Sequence, residues 1–192
     1  MIQDIVIDLD DTAFATYHYF DQQLKSRGID CQGHYITTVN GGPHFLELLD
    51  DAKFMRQLNL MPFVANTLDL LRDRGYRLTI CTHRGYHADG RKETLISLEH
   101  HRIRHHFETI HVIDPKTHNN KLTYLREQFG HDKFILVDDK PVFDSAEPLA
   151  SNVLLRTQFW NTHIDHPFRI SSFERDEFFR TLNAMQLFLK MA

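Results

Sequence analysis

At 192 residues the chain is long enough for one well-buried α/β core with an insertion, and short for two full domains. Hydrophobic residues make up 42% and charged residues 25%, an ordinary soluble composition, and the net charge of -4 argues against a surface built mainly to bind nucleic acid. Two cysteines, Cys31 and Cys81, cannot make a disulfide framework, and no apolar run approaches the ~18 residues of a membrane span. Met1 leads directly into the first strand with no room for a signal peptide, so a cytoplasmic protein is expected.

In chain order, the first predicted strand is Asp4–Asp8, whose Ile5, Val6 and Ile7 have the β-branched character of a strand buried on both faces. Residues 14–61 break the strand–helix alternation. A helix carries Phe14, Tyr17, Phe20 and Leu24 and stops near Gly28; a polar loop with Asn40-Gly41-Gly42-Pro43 follows; then a second helix carries Phe45, Leu48, Leu49 and Phe54. Such an interval is too long for a simple loop and predicts a small helical cap, leaving 1–13 and 62–192 as the α/β core.

Val64, Leu68 and Leu71 follow helical spacing between Pro62 and Gly75. Further strands are predicted at Tyr76–Cys81, Thr109–Ile113, Phe134–Val137 and Val153–Arg156. Leu122 and Leu125 share the face of a helix ending at Gly130, and Phe178, Leu182, Met185 and Leu189 stripe the last helix. The alternation predicts a Rossmann-like parallel sheet covered by helices on both faces.

The chemistry gathers at strand ends. Asp8, Asp10 and Asp11 lie within four residues of one another, and carboxylates about 5 Å apart repel by on the order of 1 kcal/mol in water and more in a dry site. Asp138 and Asp139 repeat the problem after Phe134–Val137. A shared divalent cation would relieve both, and Mg²⁺ suits all-oxygen ligands. The strand Tyr76–Cys81 runs into Thr82, His83 and Arg84, a hydroxyl and two cationic or donor groups suited to phosphate oxygens. Lys121 opens a helix and Lys116 sits in the loop before it; either could bring an ammonium to the carboxylates, and a helix start is the firmer platform. Neighbouring His100, His101, His105 and His106 form no recognisable zinc pattern with a Cys or acid.

Asp8-x-Asp10-x-Thr12 after an apolar strand, Thr82 at a strand end, Lys121, and paired Asp138-Asp139 resemble the four motifs of the haloacid dehalogenase (HAD) superfamily, in order, over about two-thirds of the chain. The resemblance implies a HAD-like fold with a cap that selects substrate. It also implies a Mg²⁺-dependent phosphatase working through an aspartyl-phosphate. In that reading Asp8 is the nucleophile and Asp10 the proton shuttle. Thr82, His83, Arg84 and Lys121 bind phosphate, and Asp8, Asp10, Asp138 and Asp139 hold the metal, with Asp139 direct and Asp138 supporting. Dehalogenases of the superfamily lack an acid two residues after the nucleophile, so Asp10 favours a phosphatase.

Val153 to Asn161 followed by Arg169-Ile170-Ser171-Ser172-Phe173 resembles a segment of 5′(3′)-deoxyribonucleotidases, which implies a mononucleotide substrate. The second motif, Thr82-His83-Arg84, departs from that group's Thr/Ser-Ser-Pro run. Phe14, Tyr17 and Tyr19 are candidates to stack on a base. Another small phosphate ester, a nucleic-acid 3′-phosphate end, and a catalytically silent binding module are the competing readings.

Overall fold

The computed structural model describes residues 2–30, 42–140 and 151–191. Six strands, β1 (Asp4–Ile7), β2 (Arg77–Thr82), β3 (Phe107–Val112), β4 (Phe134–Asp138), β5 (Val153–Arg156) and β6 (Arg169–Ile170), form one sheet in the order β3-β2-β1-β4-β5-β6. Every neighbouring pair is parallel. The helices are α1 (Thr16–Ser26), α2 (Gly42–Leu49), α3 (Val64–Asp73), α4 (Gly90–His100), α5 (Lys121–Phe129) and α6 (Arg175–Met191). This is the Rossmann-like α/β arrangement, and among the described residues no helix is long and apolar enough to cross a membrane.

Strand alternation divides the core. Ile5 and Ile7 of β1 join the larger apolar cluster, while Val6 faces a second cluster with Cys81, Leu122, Leu125, Phe134 and Leu136. Both faces of β1 are thus covered, as its unbroken β-branched run requires. Strands β2, β1 and β4 are adjacent, so Thr82, Asp8 and the Asp138-Asp139 pair emerge side by side at one edge of the sheet. The carboxyl edge of an open parallel sheet is where such folds bind ligands.

The segment between β1 and α3 is built on aromatic packing. Phe20 of α1 meets Phe45 of α2 at 4.9 Å and Phe54 at 4.9 Å between ring centroids. Phe54 lies on a separate 3-10 turn, Ala52–Arg56, and not on the second helix with Phe45 as expected, because Asp51 caps a new turn by accepting the Lys53 N–H. Gly42 and Pro43 begin α2 where a loop was expected; Asn40 and Gly41 lie outside the described residues, as does Cys31. Phe14 precedes α1 and sits fully buried in the core. Apolar residues of this segment (Phe20, Leu24, Phe45, Phe54) belong to the same cluster as Ile5 and Ile7, so packing continues from the sheet into it.

Candidate active site

The turn after β1 is unusual in its backbone. Asp11 adopts φ +58°, a left-handed conformation that aspartate tolerates better than most residues. Its carboxylate accepts the Tyr17 N–H at 2.6 Å and so satisfies an orphan donor at the start of α1. The reversal lets Asp8 and Asp10 face a cavity of about 320 Å³.

At the cavity floor, Lys121 Nζ donates to Asp8 Oδ1 and to Asp138 Oδ2, each at 2.7 Å. Asn120 places that lysine: its side-chain oxygen accepts the Leu122 and Thr123 N–H groups and caps α5 just before Lys121. Lys116, the alternative, is exposed in the preceding loop and does not line the cavity. Burial opposes the charge on Lys121, but Asp138 and Asp8 outweigh it and hold the ammonium protonated.

Asp8, Asp138 and Asp139 are buried and can each bring an oxygen within 4.8 Å of the others. Burial, with the nearby Asp138 and Asp10 charges, pushes the Asp8 carboxyl up to about 7 in spite of Lys121. Asp139 is also raised well above the ordinary carboxylate range, by burial and by Asp138, Asp8 and Asp11. Negative charge here exceeds what one ammonium balances. The donor set is all hard oxygen, so the site fits Mg²⁺ or a similar hard cation. Asp10 does not offer its carboxylate to this group: Arg84 Nη2 donates to its Oδ1 at 2.7 Å, and Thr16 Oγ1 donates to the same atom at 2.8 Å. Burial alone would raise the Asp10 carboxyl; Arg84 and Thr16 together hold it below the usual range.

Asp139 is held from three sides. Trp160 Nε1 donates to its Oδ2 at 3.2 Å, its N–H donates to Thr12 Oγ1 at 2.9 Å, and Asn161 Nδ2 donates to its carbonyl at 2.7 Å. Trp160 and Asn161, at the end of the Val153-to-Asn161 segment, therefore support Asp139. Thr82 Oγ1 is buried and has no hydrogen-bond partner among the described residues. His83 donates from Nε2 to the His118 carbonyl at 2.8 Å; burial and the Lys121 charge push it down to about 4, so it is a neutral ring at the cavity edge.

Phe20, Phe45, Leu49 and Phe54, from the segment between β1 and α3, form an apolar wall, completed by Tyr86 and Trp160. The expected stacking residues are elsewhere. Phe14 is buried against His101, Tyr17 packs on Phe159 and Trp160, and Tyr19 packs on Phe20 and Phe54. Helix periodicity identified the apolar side of α1 but not which rings turn toward the cavity. The histidines also differ from expectation: Asp69 of α3 brings a carboxylate 3.6 Å from His106 Nε2, beside His105, although Asp69 and His105 are exposed.

No family model and no curated protein matches the chain. Solved structures do. A Clostridium acetobutylicum protein described as a predicted phosphatase is 14% identical, with a TM-score of 0.66, covering 96% of this chain and 99% of that one. YfnB of Bacillus subtilis, solved with bound magnesium, is 14% identical at a TM-score of 0.61, covering 95% and 99%. A HAD phosphatase from Thermococcus onnurineus is 17% identical at a TM-score of 0.55, covering 93% and 97%. At these identities the likeness is one of fold, and the chain carries the Rossmann-like α/β fold of HAD-type hydrolases.

Proposed function

We propose that the protein is a Mg²⁺-dependent phosphomonoesterase that forms an aspartyl-phosphate on Asp8. The observation that carries the reading is the meeting of Asp8, Lys121, Asp138 and Asp139 at the sheet edge where the neighbouring strand β2 ends in the unpartnered Thr82 hydroxyl. A buried hydroxyl without a partner loses free energy unless a ligand oxygen supplies one, and a phosphate at Asp8 would do so. Asp8, Asp138 and Asp139 would hold the metal, which would offset charge on the phosphoryl oxygens and on the three carboxylates.

Asp8 attacks phosphorus while the ester P–O bond breaks; Asp10, whose carboxyl Arg84 and Thr16 hold below the usual range, takes up a proton before giving it to the departing oxygen. Water then attacks phosphorus, Asp10 takes its proton, and inorganic phosphate leaves with the Asp8 carboxylate restored. Lys121 pairs with the nucleophile and faces the transferring group. Thr82 and neighbouring backbone N–H groups donate to non-bridging oxygens.

Residues 14–61 act as the cap that selects the group beyond the phosphate. An apolar, largely aromatic wall in a cavity at the small end of ligand-pocket sizes supports a compact substrate with an aromatic face, and a nucleoside 5′-monophosphate fits that description. The test is hydrolysis of p-nitrophenyl phosphate with Mg²⁺ and with EDTA, for wild type and Asp8→Asn. Metal-dependent turnover that Asp8→Asn abolishes is the expected result; full activity in that variant would overturn the mechanism. Mononucleotides, sugar phosphates and 3′-phosphorylated oligonucleotides then rank the substrate class, and equal rates on all would reject the nucleotide.

A further inference from the structure

Among the described residues Arg84 is the largest side chain in the interior, fully buried beside a cavity it does not line. Two of its three nitrogens are spent on Asp10, with Nε 3.0 Å from Oδ2 and 3.2 Å from Oδ1, and Nη2 2.7 Å from Oδ1, while the buried Nη1 has no hydrogen-bond partner among the described residues. Phosphate binding, the role expected from the sequence, would need a donor at the cavity, which Arg84 does not line.

The backbone is built to put Arg84 there. It opens a 3-10 turn, Arg84–Tyr86, directly after β2. Gly85 donates to the Ile113 carbonyl at 3.0 Å, and a Cβ on Gly85 would lie 2.5 Å from the Ile113 carbonyl carbon. A Cβ on Gly90 would lie 1.9 Å from the Arg84 carbonyl oxygen. No side chain fits at either position unless the backbone moves, so the two glycines cinch the turn between β3 and α4. The Phe14 ring lies 5.3 Å from the guanidinium, on the core side.

We infer that Arg84 is a positioning residue for the proton shuttle Asp10: it fixes the carboxylate plane so that Oδ2 is the oxygen that exchanges a proton with the substrate. The inference rests on the phosphatase reading above. Oδ1 accepts from Thr16 and from both Arg84 nitrogens, whereas Oδ2 accepts from Arg84 Nε alone among these donors. Oδ2 is therefore the less engaged of the two oxygens. In the first step a proton taken up at Oδ2, against the hold of Arg84, moves to the leaving ester oxygen as the P–O bond breaks; in the second, Oδ2 takes a proton from the attacking water. A planar, two-pronged guanidinium sets an orientation that the point charge of a lysine does not. A purely structural ion pair would hold Asp10 equally well but would have no leaving-group signature.

The test measures first-turnover rates on p-nitrophenyl phosphate and phenyl phosphate, two esters of similar shape whose leaving groups differ in their need for a proton. For Arg84→Lys we expect a fall of roughly 10²-fold on phenyl phosphate and no more than about threefold on p-nitrophenyl phosphate, with KM little changed. In an Asp10→Asn background the same substitution should cost no more than about twofold further. Equal losses on both esters, a rise in KM alone, or losses that multiply with Asp10→Asn would overturn the assignment. If circular dichroism shows that Arg84→Lys does not fold, Arg84→Gln, neutral and planar, carries the same comparison. A wild type without Asp8-dependent hydrolysis would remove the phosphatase reading itself; an active wild type whose Arg84 variants ignore the leaving group removes this assignment alone.

Discussion

Lys121 Nζ bridges Asp8 Oδ1 and Asp138 Oδ2, 2.7 Å from each, and so ties the end of β1 to the end of β4 with a single buried ammonium. All three groups are almost wholly shielded from water, so the pairing is neither screened nor easily replaced.

Lys121→Met should therefore act on both stability and activity. Removing one member of a buried ion network leaves the others uncompensated, at a cost of about 3–5 kcal/mol. Turnover should fall by at least ~10²-fold, since a preformed charge at the transferring group is lost. Thermal melts in EDTA and in Mg²⁺ separate the two effects: the cation should raise the melting temperature of the variant more than that of wild type. An equal shift in both would argue that Lys121 and the metal do not share those carboxylates.

Asp11 supplies a pH prediction. Burial, with the Asp10 and Asp8 charges, pushes its carboxyl up to about 7 from an ordinary value of 3.8, although the Tyr17 N–H opposes the shift. A group raised in the folded state binds more protons in N than in U between those two values. Stability from Asp11 is therefore full below about 4 and lost as pH rises through about 7. Asp11→Asn keeps the acceptor for Tyr17, tolerates φ +58°, and never ionises. In EDTA the variant should melt near wild type at pH 4 and clearly above it at pH 8, each kcal/mol being worth roughly 2–4 °C for a chain of this size. A gap that does not widen with pH would reject the uncompensated charge.

The elements built on local pattern were legible from the chain. Ile5-Val6-Ile7 forms a strand covered on both faces, and the carboxylates at its end and after Val137 are within a few residues of the strands that present them. What could not be read depends on contacts between segments far apart. Arg84 meets Asp10 because Gly85 and Gly90 permit a tight 3-10 turn, and no spacing rule relates residue 84 to residue 10. Asp69 approaches His106 from a different helix, and the two-residue strand β6 is too short to show any periodicity. Strand β3 was expected at Thr109–Ile113 and spans Phe107–Val112; Ile113 leaves the sheet but stays buried in the second core cluster, so its apolar character misplaced the end.

The aromatic wall gives a substrate prediction. Phe45 lines the cavity and stands edge-on to Phe20, so Phe45→Leu keeps apolar bulk while removing one aromatic face. Stacking on a base is worth about 1–3 kcal/mol by truncation, so kcat/KM for nucleoside monophosphates should fall roughly tenfold. Ribose 5-phosphate, which has no ring to stack, should be hydrolysed as before. Parallel losses on both substrates would place Phe45 in cap packing and leave base recognition without its wall.

Trp160 is the chain's one tryptophan, and its indole N–H donates to Asp139 Oδ2 at 3.2 Å while its ring packs 5.6 Å from Tyr17. A cation drawn to Asp8, Asp138 and Asp139 would withdraw electron density from the oxygen that this indole contacts. Mg²⁺ should therefore change Trp160 fluorescence in a saturable titration, and Ca²⁺ should compete for the same change. Asp139→Asn should abolish it. Trp160→Phe keeps an aromatic ring but removes the N–H, leaving Thr12 and the Asn161 amide to hold Asp139; outer hydrogen bonds of this kind typically alter metal affinity by 10–100-fold. Calorimetry on Trp160→Phe should accordingly show Mg²⁺ binding weakened by at least about tenfold. Unaltered affinity, with a fluorescence response that survives in Asp139→Asn, would mean that the indole senses the cap through Tyr17 and not the metal through Asp139.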